Sequence, residues 1–339
     1  MKTPIAVLIS DVHYNINTLP LADAAVRLAA AKANLLDVPL VVAGDLHDTK
    51  ANLRGECISA MLKTFDLCRI PAIILRGNHD SINEKSQDHS LEFLKHDASI
   101  IASPVRNLIP NVTFIPYSHD PISLKIFLKS VCKGSMIIMH QGIEGSYSGE
   151  YIQDKSAITY DDVKDFRVIS GHYHRRQDIK TGAPQKGHVG IFSYIGNPYT
   201  LNFAEADDPE KGYQILMDDG SLEFVATNLR RHKVITATYV KDAWMGAVWH
   251  DVKDNDLVLV KMHAPSDILS NVTKDSVRLL FYLKSDFRLD LIPADTKTVA
   301  ALSETPKTQD QVLDGLIDSL TGTDTERKER LKSLWRAFI

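Results

Sequence analysis

Cysteine is scarce in this chain. Cys57, Cys68 and Cys132 are too few and too scattered for a disulfide framework or a zinc ribbon. Cys57 and Cys68 stand eleven apart, a helical spacing, and all three are expected to be reduced core residues of a cytoplasmic protein. Long apolar runs are also missing, since none reaches the roughly 18 residues that a membrane span needs. Met1 to Ile5 leads straight into a short apolar segment without a small-residue cleavage site, so no secretory signal is expected. Neither sign of charge dominates. The 39 basic and 43 acidic residues leave a net of −4, so local patches must decide whether nucleic acid is a partner. No Gly-x-x-x-x-Gly-Lys-Ser/Thr stretch occurs, so the chain is not itself a P-loop ATPase, and any ATP-driven step needs another subunit.

What is present is an ordinary globular composition: 339 residues, 44% hydrophobic and 24% charged, enough for about two domains. Apolar runs at 5–9, 39–43, 71–75, 112–116 and 135–139 read as buried strands. Between them, helices are expected at 18–36, 55–69, 88–96 and 121–132. The first is N-capped by Thr18 and carries Leu21, Ala24, Leu28, Ala31 and Leu35 on its apolar face. This alternation predicts a layered α/β domain with a mainly parallel core. From residue 167 the pattern changes to runs at 167–170, 189–195, 212–217, 222–227 and 233–240, read as a second, mixed sheet packed on the first. A smaller unit over 241–295 is expected to hold a strand at 257–262, a helix at 266–272 and a strand at 277–283.

The polar residues that follow these strands share one chemistry. Asp11-Val12-His13, Gly44-Asp45, Gly77-Asn78-His79-Asp80, His140-Gln141-Gly142 and Gly171-His172-Tyr173-His174 each follow an apolar run. In an open α/β sheet ligands collect at the carboxyl ends of the strands, so these clusters are expected to converge. Asp11, His13, Asp45, Asn78, His140, His172 and His174 offer carboxylate, amide and imidazole donors and no thiolate. That set suits manganese, iron or zinc better than a lone magnesium or calcium. It exceeds the needs of one ion and suits two that share a carboxylate, roughly 3.5–4 Å apart, around a phosphoryl oxygen.

These motifs resemble those of the calcineurin-like metallophosphoesterases. His140-Gln141-Gly142, Gly171-His172-Tyr173-His174-Arg175-Arg176, Tyr194-Ile195-Gly196-Asn197-Pro198 and Lys211-Gly212-Tyr213 are similar, more narrowly, to SbcD-type DNA-repair nuclease subunits and their phage recombination-endonuclease relatives. The resemblance implies a four-layer αββα sandwich, an α+β or α/β fold, with a small α/β capping domain and C-terminal helices. It implies two divalent ions, with Mn2+ the expected metal, a DNA substrate, an SbcC-type coiled-coil ATPase partner and a homodimer in the cytoplasm, of the host if phage-encoded. On the family pattern, Asp11, His13, Asp45 and His174 would hold one ion, and Asp45, Asn78, His140 and His172 the other. His79 would face the scissile phosphate and help protonate the leaving oxygen, with Asp80 orienting it. Where many relatives carry an aromatic residue this chain has His47, expected as a packing replacement, and Asp48 follows where some relatives have a histidine.

The chain divides on this reading into a nuclease domain at 1–228, a capping and DNA-binding domain at 229–295, a polar linker at 296–307 and a helix pair at 308–339. Residues 175–188 carry a local net charge of +3, which makes Arg175, Arg176 and Lys180 candidate phosphate contacts, with Arg230 and Arg231 in a second basic patch. Leu316, Leu320, Leu334, Trp335 and Phe338 lie on apolar stripes suited to docking on the ATPase. His89, His96, His119, His188, His232, His250 and His263 stand alone and are assigned no role. Two other functions compete. A phosphomonoesterase of the protein-phosphatase kind usually reads Gly-Asn-His-Glu with an arginine soon after the shared Asp, and this chain has neither. A non-catalytic scaffold is disfavoured by the complete ligand set.

Overall fold

A computed structural model describes residues 2–49, 52–83, 88–148, 152–153, 157–180, 191–240, 243–245, 252–284, 286–293, 328–329 and 332. In chain order the elements begin with β1 (Pro4–Ile9), α1 (Leu19–Leu36), β2 (Leu40–Val42), α2 (Gly55–Phe65), β3 (Ala72–Leu75) and β4 (Ala98–Ile101). There follow β5 (Val105–Arg106), β6 (Val112–Ile115), α3 (Pro121–Lys129), β7 (Met136–His140), and a short ladder of β8 (Tyr147–Ser148) with β9 (Ile152–Gln153). Next come α4 (Tyr160–Val163), β10 (Arg167–Gly171), β11 (Gln177–Lys180), β12 (Ile191–Tyr194), β13 (Gly212–Met217) and β14 (Leu222–Ala226). The last are β15 (His232–Val240), β16 (Ala243–Met245), β17 (Leu257–Ala264), α5 (Ser266–Leu269), α6 (Lys274–Leu280) and β18 (Phe287–Pro293).

Two six-stranded sheets stack face to face, in the orders β14-β13-β1-β2-β3-β4 and β11-β12-β10-β7-β6-β5. β1 to β4 run parallel, as do β12, β10, β7 and β6, and β13, β14, β11 and β5 are joined by antiparallel pairings. The strands are apolar throughout because both faces are covered. In β1, Ala6 and Leu8 join the core between the sheets, while Val7 and Ile9 face α1 and α2. In β7, Ile138 enters the inter-sheet core, while Ile137 and Met139 pack with Leu124 and Leu128 of α3. The layers are therefore helix, sheet, sheet, helix, and the carboxyl ends of both parallel sets share one edge.

Several expectations change. The runs at 212–217 and 222–227 belong to the first sheet, against β1, and those at 112–116 and 135–139 to the second. α1 buries Ala22, Ala25, Val26, Ala29, Ala30 and Ala33, whereas Leu28 and Leu35 are 43% and 77% exposed. Small side chains let the helix lie close on the sheet, and the larger leucines stay outside. Thr18 is the N-cap residue of α1, as expected, and its carbonyl accepts from Leu21 N and Ala22 N, but its hydroxyl makes no cap bond and turns to the His13 carbonyl. The helix expected at 88–96 is a single 3-10 turn, Glu92–Leu94, preceded by a bridge between Ser81 and His89. α2 stops at Phe65, which leaves Cys68 outside it, and Cys132 is exposed rather than in the core.

β15 to β18 form a separate four-stranded sheet with its own core, which includes Ile235, Val260, Met262 and Phe281. Here the stretch expected as a strand at 277–283 is instead the end of α6 and the turn after it. Thr273 and Ser276 form a reciprocal cap at the start of α6, and Val277 and Phe281, one turn apart, are buried. A short apolar run does not by itself distinguish helix from strand. The expected linker at 296–307, Lys186, and Leu316, Leu320, Leu334, Trp335 and Phe338 of the helix pair lie outside the described residues. Among the described residues, no helix is long and apolar enough to cross a membrane.

Candidate metal centre

The loops after β1 and β2 run side by side. Asp11 N donates to the Gly44 carbonyl (3.1 Å), His13 N to that of Asp45 (3.1 Å) and Tyr14 N to that of Leu46 (2.8 Å). Asp11, His13, Asp45 and His172 all have left-handed backbone, with φ of 52°, 50°, 50° and 92°. Such a conformation costs about 1–3 kcal/mol for a residue with a side chain and persists only where the surroundings enforce it. Here the paired loops do so for Asp11, His13 and Asp45, and His172, after β10, is held through its N–H on the Asp11 carboxylate (3.1 Å). Glycine supplies the close approaches. A Cβ at Gly171 would overlap Ser10 Oγ and the Ala43 carbonyl, and one at Gly77 would overlap the Asp45 carboxylate.

The seven expected ligands come together. Asp11, His13 and His174 offer ligand atoms all within 4.8 Å of one another, as do Asp11, Asp45 and His140. His13 Nε2 lies 3.1 Å from His174 Nε2. Asn78 Oδ1 lies 3.0 Å from both His140 Nε2 and His172 Nδ1. Asp45 stands between the two groups, its Oδ2 3.3 Å from His140 Nε2 and 3.9 Å from His13 Nε2. Its other oxygen accepts from His79 N at 2.8 Å.

The tautomers are set from outside. His140 Nδ1 donates to the Ala43 carbonyl (2.7 Å) and His174 Nδ1 to Glu205 Oε1 (2.8 Å), so each Nε2 presents a lone pair to the cluster. In the neutral rings those lone pairs face the oxygens of Asn78 and Asp45 and the ring of His13. Lone pairs this close need a proton or a cation between them, and the set therefore fits a divalent metal site. The charge balance of the protein alone agrees. Burial works against the charged form of His140, but Asp45 and Asp11 outweigh it and lift the ring to about 9. Burial alone would raise Asp45, yet His140, His13 and His79 hold it below the usual carboxylate range. His172 is driven down to about 4 by burial, with His140 adding to it.

Sequence reasoning missed the support behind His174. Glu205 Oε2 accepts from Asn197 Nδ2 (2.9 Å) and Leu201 N (3.0 Å), and Lys211 Nζ lies 3.4 Å away. Lys211 Nζ in turn donates to the His174 carbonyl (3.0 Å), to Asn197 Oδ1 and to Asp208 Oδ2 (2.6 Å). Burial acts to raise Glu205, but the His174 hydrogen bond and Lys211 bring it to about 2. Asn197 and Lys211 belong to recognisable motifs, but Glu205 lies on a short turn with no motif around it.

Asp80 does not orient the His79 ring. Its carboxylate accepts from Gly77 N (2.8 Å) and His47 N (3.0 Å), tying the loop after β3 to the loop after β2. The His79 ring is held instead by the Asp48 carbonyl, 2.7 Å from its Nδ1. The Asp48 carboxylate faces His13 Nδ1 at 3.5 Å and accepts from Asn15 Nδ2, so this residue serves both histidines. His47 is buried beside Phe93, which fits packing.

The basic candidates divide. Arg175 follows His174 directly and is half-buried. The Arg176 guanidinium lies 4.1 Å over the Phe224 ring, and Arg231 donates to the Asp208 carbonyl (2.6 Å) and, through its backbone, to Asp256 (2.9 Å). Both have internal partners as well. β11 runs antiparallel to β12, with Gln177 opposite Tyr194 and Lys180 opposite Ile191. That register carries Lys180 away from the ligand edge. Arg230 is half-buried with its Nε sealed from solvent.

No curated protein matches the chain significantly. The family model for the calcineurin-like phosphoesterases matches residues 6–176, just over half of the 339. The matched segment begins inside β1, ends just beyond His174, and includes every side chain of the ligand cluster. This chain belongs to the calcineurin-like phosphoesterase family.

Proposed function

We propose that the chain is a two-metal DNA phosphodiesterase, the nuclease subunit of an SbcC–SbcD-type complex in recombination, repair or replication. The observation that carries the two-ion reading is Asp45, placed between a His13–His174 pair and an Asn78–His140–His172 trio. Asp11, His13, Asp45 and His174 would hold one ion and Asp45, Asn78, His140 and His172 the other. Manganese suits this mixed nitrogen and oxygen set. A divalent pair, when bound, polarises a phosphoryl oxygen and lowers the pKa of water.

The protein's own residues do the rest. The Asp48 carbonyl accepts the His79 Nδ1 proton and fixes the ring; in the imidazolium form Nε2 carries a second proton, and its transfer to the leaving oxygen leaves the ring neutral with its proton on Nδ1. Asp80 keeps the loops of Asp45 and His79 in register. Arg175, beside His174, is the strongest candidate for a DNA phosphate contact. The DNA substrate is supported by the narrower motif resemblance, as are the ATPase partner, the homodimer and docking through 308–339.

Purified protein with manganese, offered an aryl phosphate monoester, an aryl phosphate diester and linear duplex and single-stranded DNA, tests this reading. Turnover of the diester and of DNA is expected. Fast monoester hydrolysis with inert DNA would replace it by a phosphomonoesterase.

A further inference from the structure

A cavity of about 520 Å³ opens beside the Asn78–His140–His172 side of the cluster, lined by residues that include Arg76, Ile115, Tyr117, His119, Leu124 and Phe127. Its aromatic wall adjoins the ligands. The Tyr117 ring stacks on His172 (centroids 5.6 Å, planes 30° apart) and meets His140 edge-on at 6.2 Å. His119 sits edge-on to Tyr117 at 4.7 Å and is exposed.

This wall is pinned to the ligand loops. Tyr117 N donates to the Arg76 carbonyl (2.9 Å), and the Arg76 guanidinium returns a bond to the Tyr117 carbonyl (2.7 Å). Arg76 directly precedes Gly77-Asn78. Ser118 N donates to Gln141 Oε1 (3.2 Å), next to His140. Two rings are thus held in place at the side of the reacting centre, over an apolar floor of Ile115, Leu124 and Phe127. Neither ring is a candidate ligand.

Resting on the DNA phosphodiesterase reading, we propose that this cavity is a nucleobase subsite. It would receive the unstacked base of the nucleotide whose phosphate reacts, against Tyr117 and His119. Every base has a flat face that stacks on aromatic rings, so such a subsite tolerates any sequence. A base inside a duplex cannot reach a side cavity, because it must first leave the stack. The preferred substrate is therefore single-stranded DNA or a frayed end.

The test uses manganese-loaded full-length protein and single-stranded oligonucleotides that differ at one position, which carries either a base or a tetrahydrofuran abasic analogue. Cleavage is mapped position by position. For the wild type, kcat/KM at the base-bearing nucleotide is expected to exceed the abasic value about 5- to 100-fold. Tyr117→Leu and His119→Ala should each shrink that ratio, mainly through KM, and Tyr117→Phe should keep it. Equal cleavage of the two substrates by wild type would overturn the subsite and leave the DNA reading standing. A parallel fall of both rates in Tyr117→Leu, with the ratio intact, would also overturn it and reduce Tyr117 to a support for His172. Hydrolysis of an aryl diester with no oligonucleotide cleaved would remove the DNA reading and this inference with it.

Discussion

The two sides of the ligand cluster are held by different kinds of contact. On one, His174 rests on a buried charged network of Glu205, Lys211 and Asp208, in the segment that leads into β13. On the other, His140 rests on the backbone carbonyl of Ala43, and His172 packs against Tyr117. A side chain that orients a ligand through charge can be replaced, whereas a carbonyl at the end of a buried strand cannot be substituted away. His174 is therefore a ligand whose orientation a single distant side-chain substitution can loosen, whereas that of His140 is fixed by backbone.

The largest effect is expected where the sides meet. Asp45→Asn removes the carboxylate that lies near both His140 and His13, and a neutral amide cannot hold two cations together. Activity should vanish with every divalent metal tried, and elemental analysis should show both ions lost. Near wild-type nuclease activity would refute the two-ion arrangement.

His79→Asn comes next and should spare both sides. Turnover is expected to fall by roughly 10²–10⁴, the usual worth of a positioned proton donor, at unchanged metal content. Loss of the ions would instead make His79 a ligand or a structural residue.

Glu205→Gln should separate the sides. Replacing the partner of a ligating histidine costs about 10- to 100-fold in metal affinity or activity. A metal titration should show one binding step weakened and the other intact. Equal weakening of both would mean that the network supports the whole cluster.

The smallest effect is in the pH dependence of stability. Glu205 titrates at about 2 in the folded chain against an ordinary 4.5. A depressed carboxylate stabilises the fold fully above the higher value, and this contribution is lost as pH falls toward the lower one. In metal-free protein, the difference in urea midpoint between wild type and Glu205→Gln should hold steady above pH 4.5 and shrink from there toward about 2. A difference that persists at the acid end would show that Glu205 acts there through packing.

Much of the site is legible in the sequence, because each ligand follows an apolar strand and the carboxyl ends of parallel strands share an edge. Asp11, His13, Asp45, Asn78, His140, His172 and His174 can be read that way. Glu205 cannot, since a carboxylate on a three-residue turn, thirty-one positions beyond His174, carries no local signal. The family resemblance assigns Asp80 to orient His79, but the turn after β3 sends its carboxylate to Gly77 N and His47 N, and the Asp48 carbonyl takes the ring. The capping roles at Thr18 and Thr273 differ because a cap depends on where the hydroxyl finds its nearest free backbone group.

By itself the sequence determined the alternation of strands and helices, the donor chemistry at the strand ends and the edge on which it gathers. These follow from periodicity and from the connection rules of parallel sheets. Tertiary structure alone decided which strands share a sheet, which face of α1 is buried and which side chains hold the ligands from behind. Those outcomes depend on pairing and packing between segments far apart in the chain. An apolar strand that suits either sheet, or an alanine stripe that competes with a leucine stripe, is settled only when its partner surface is in place.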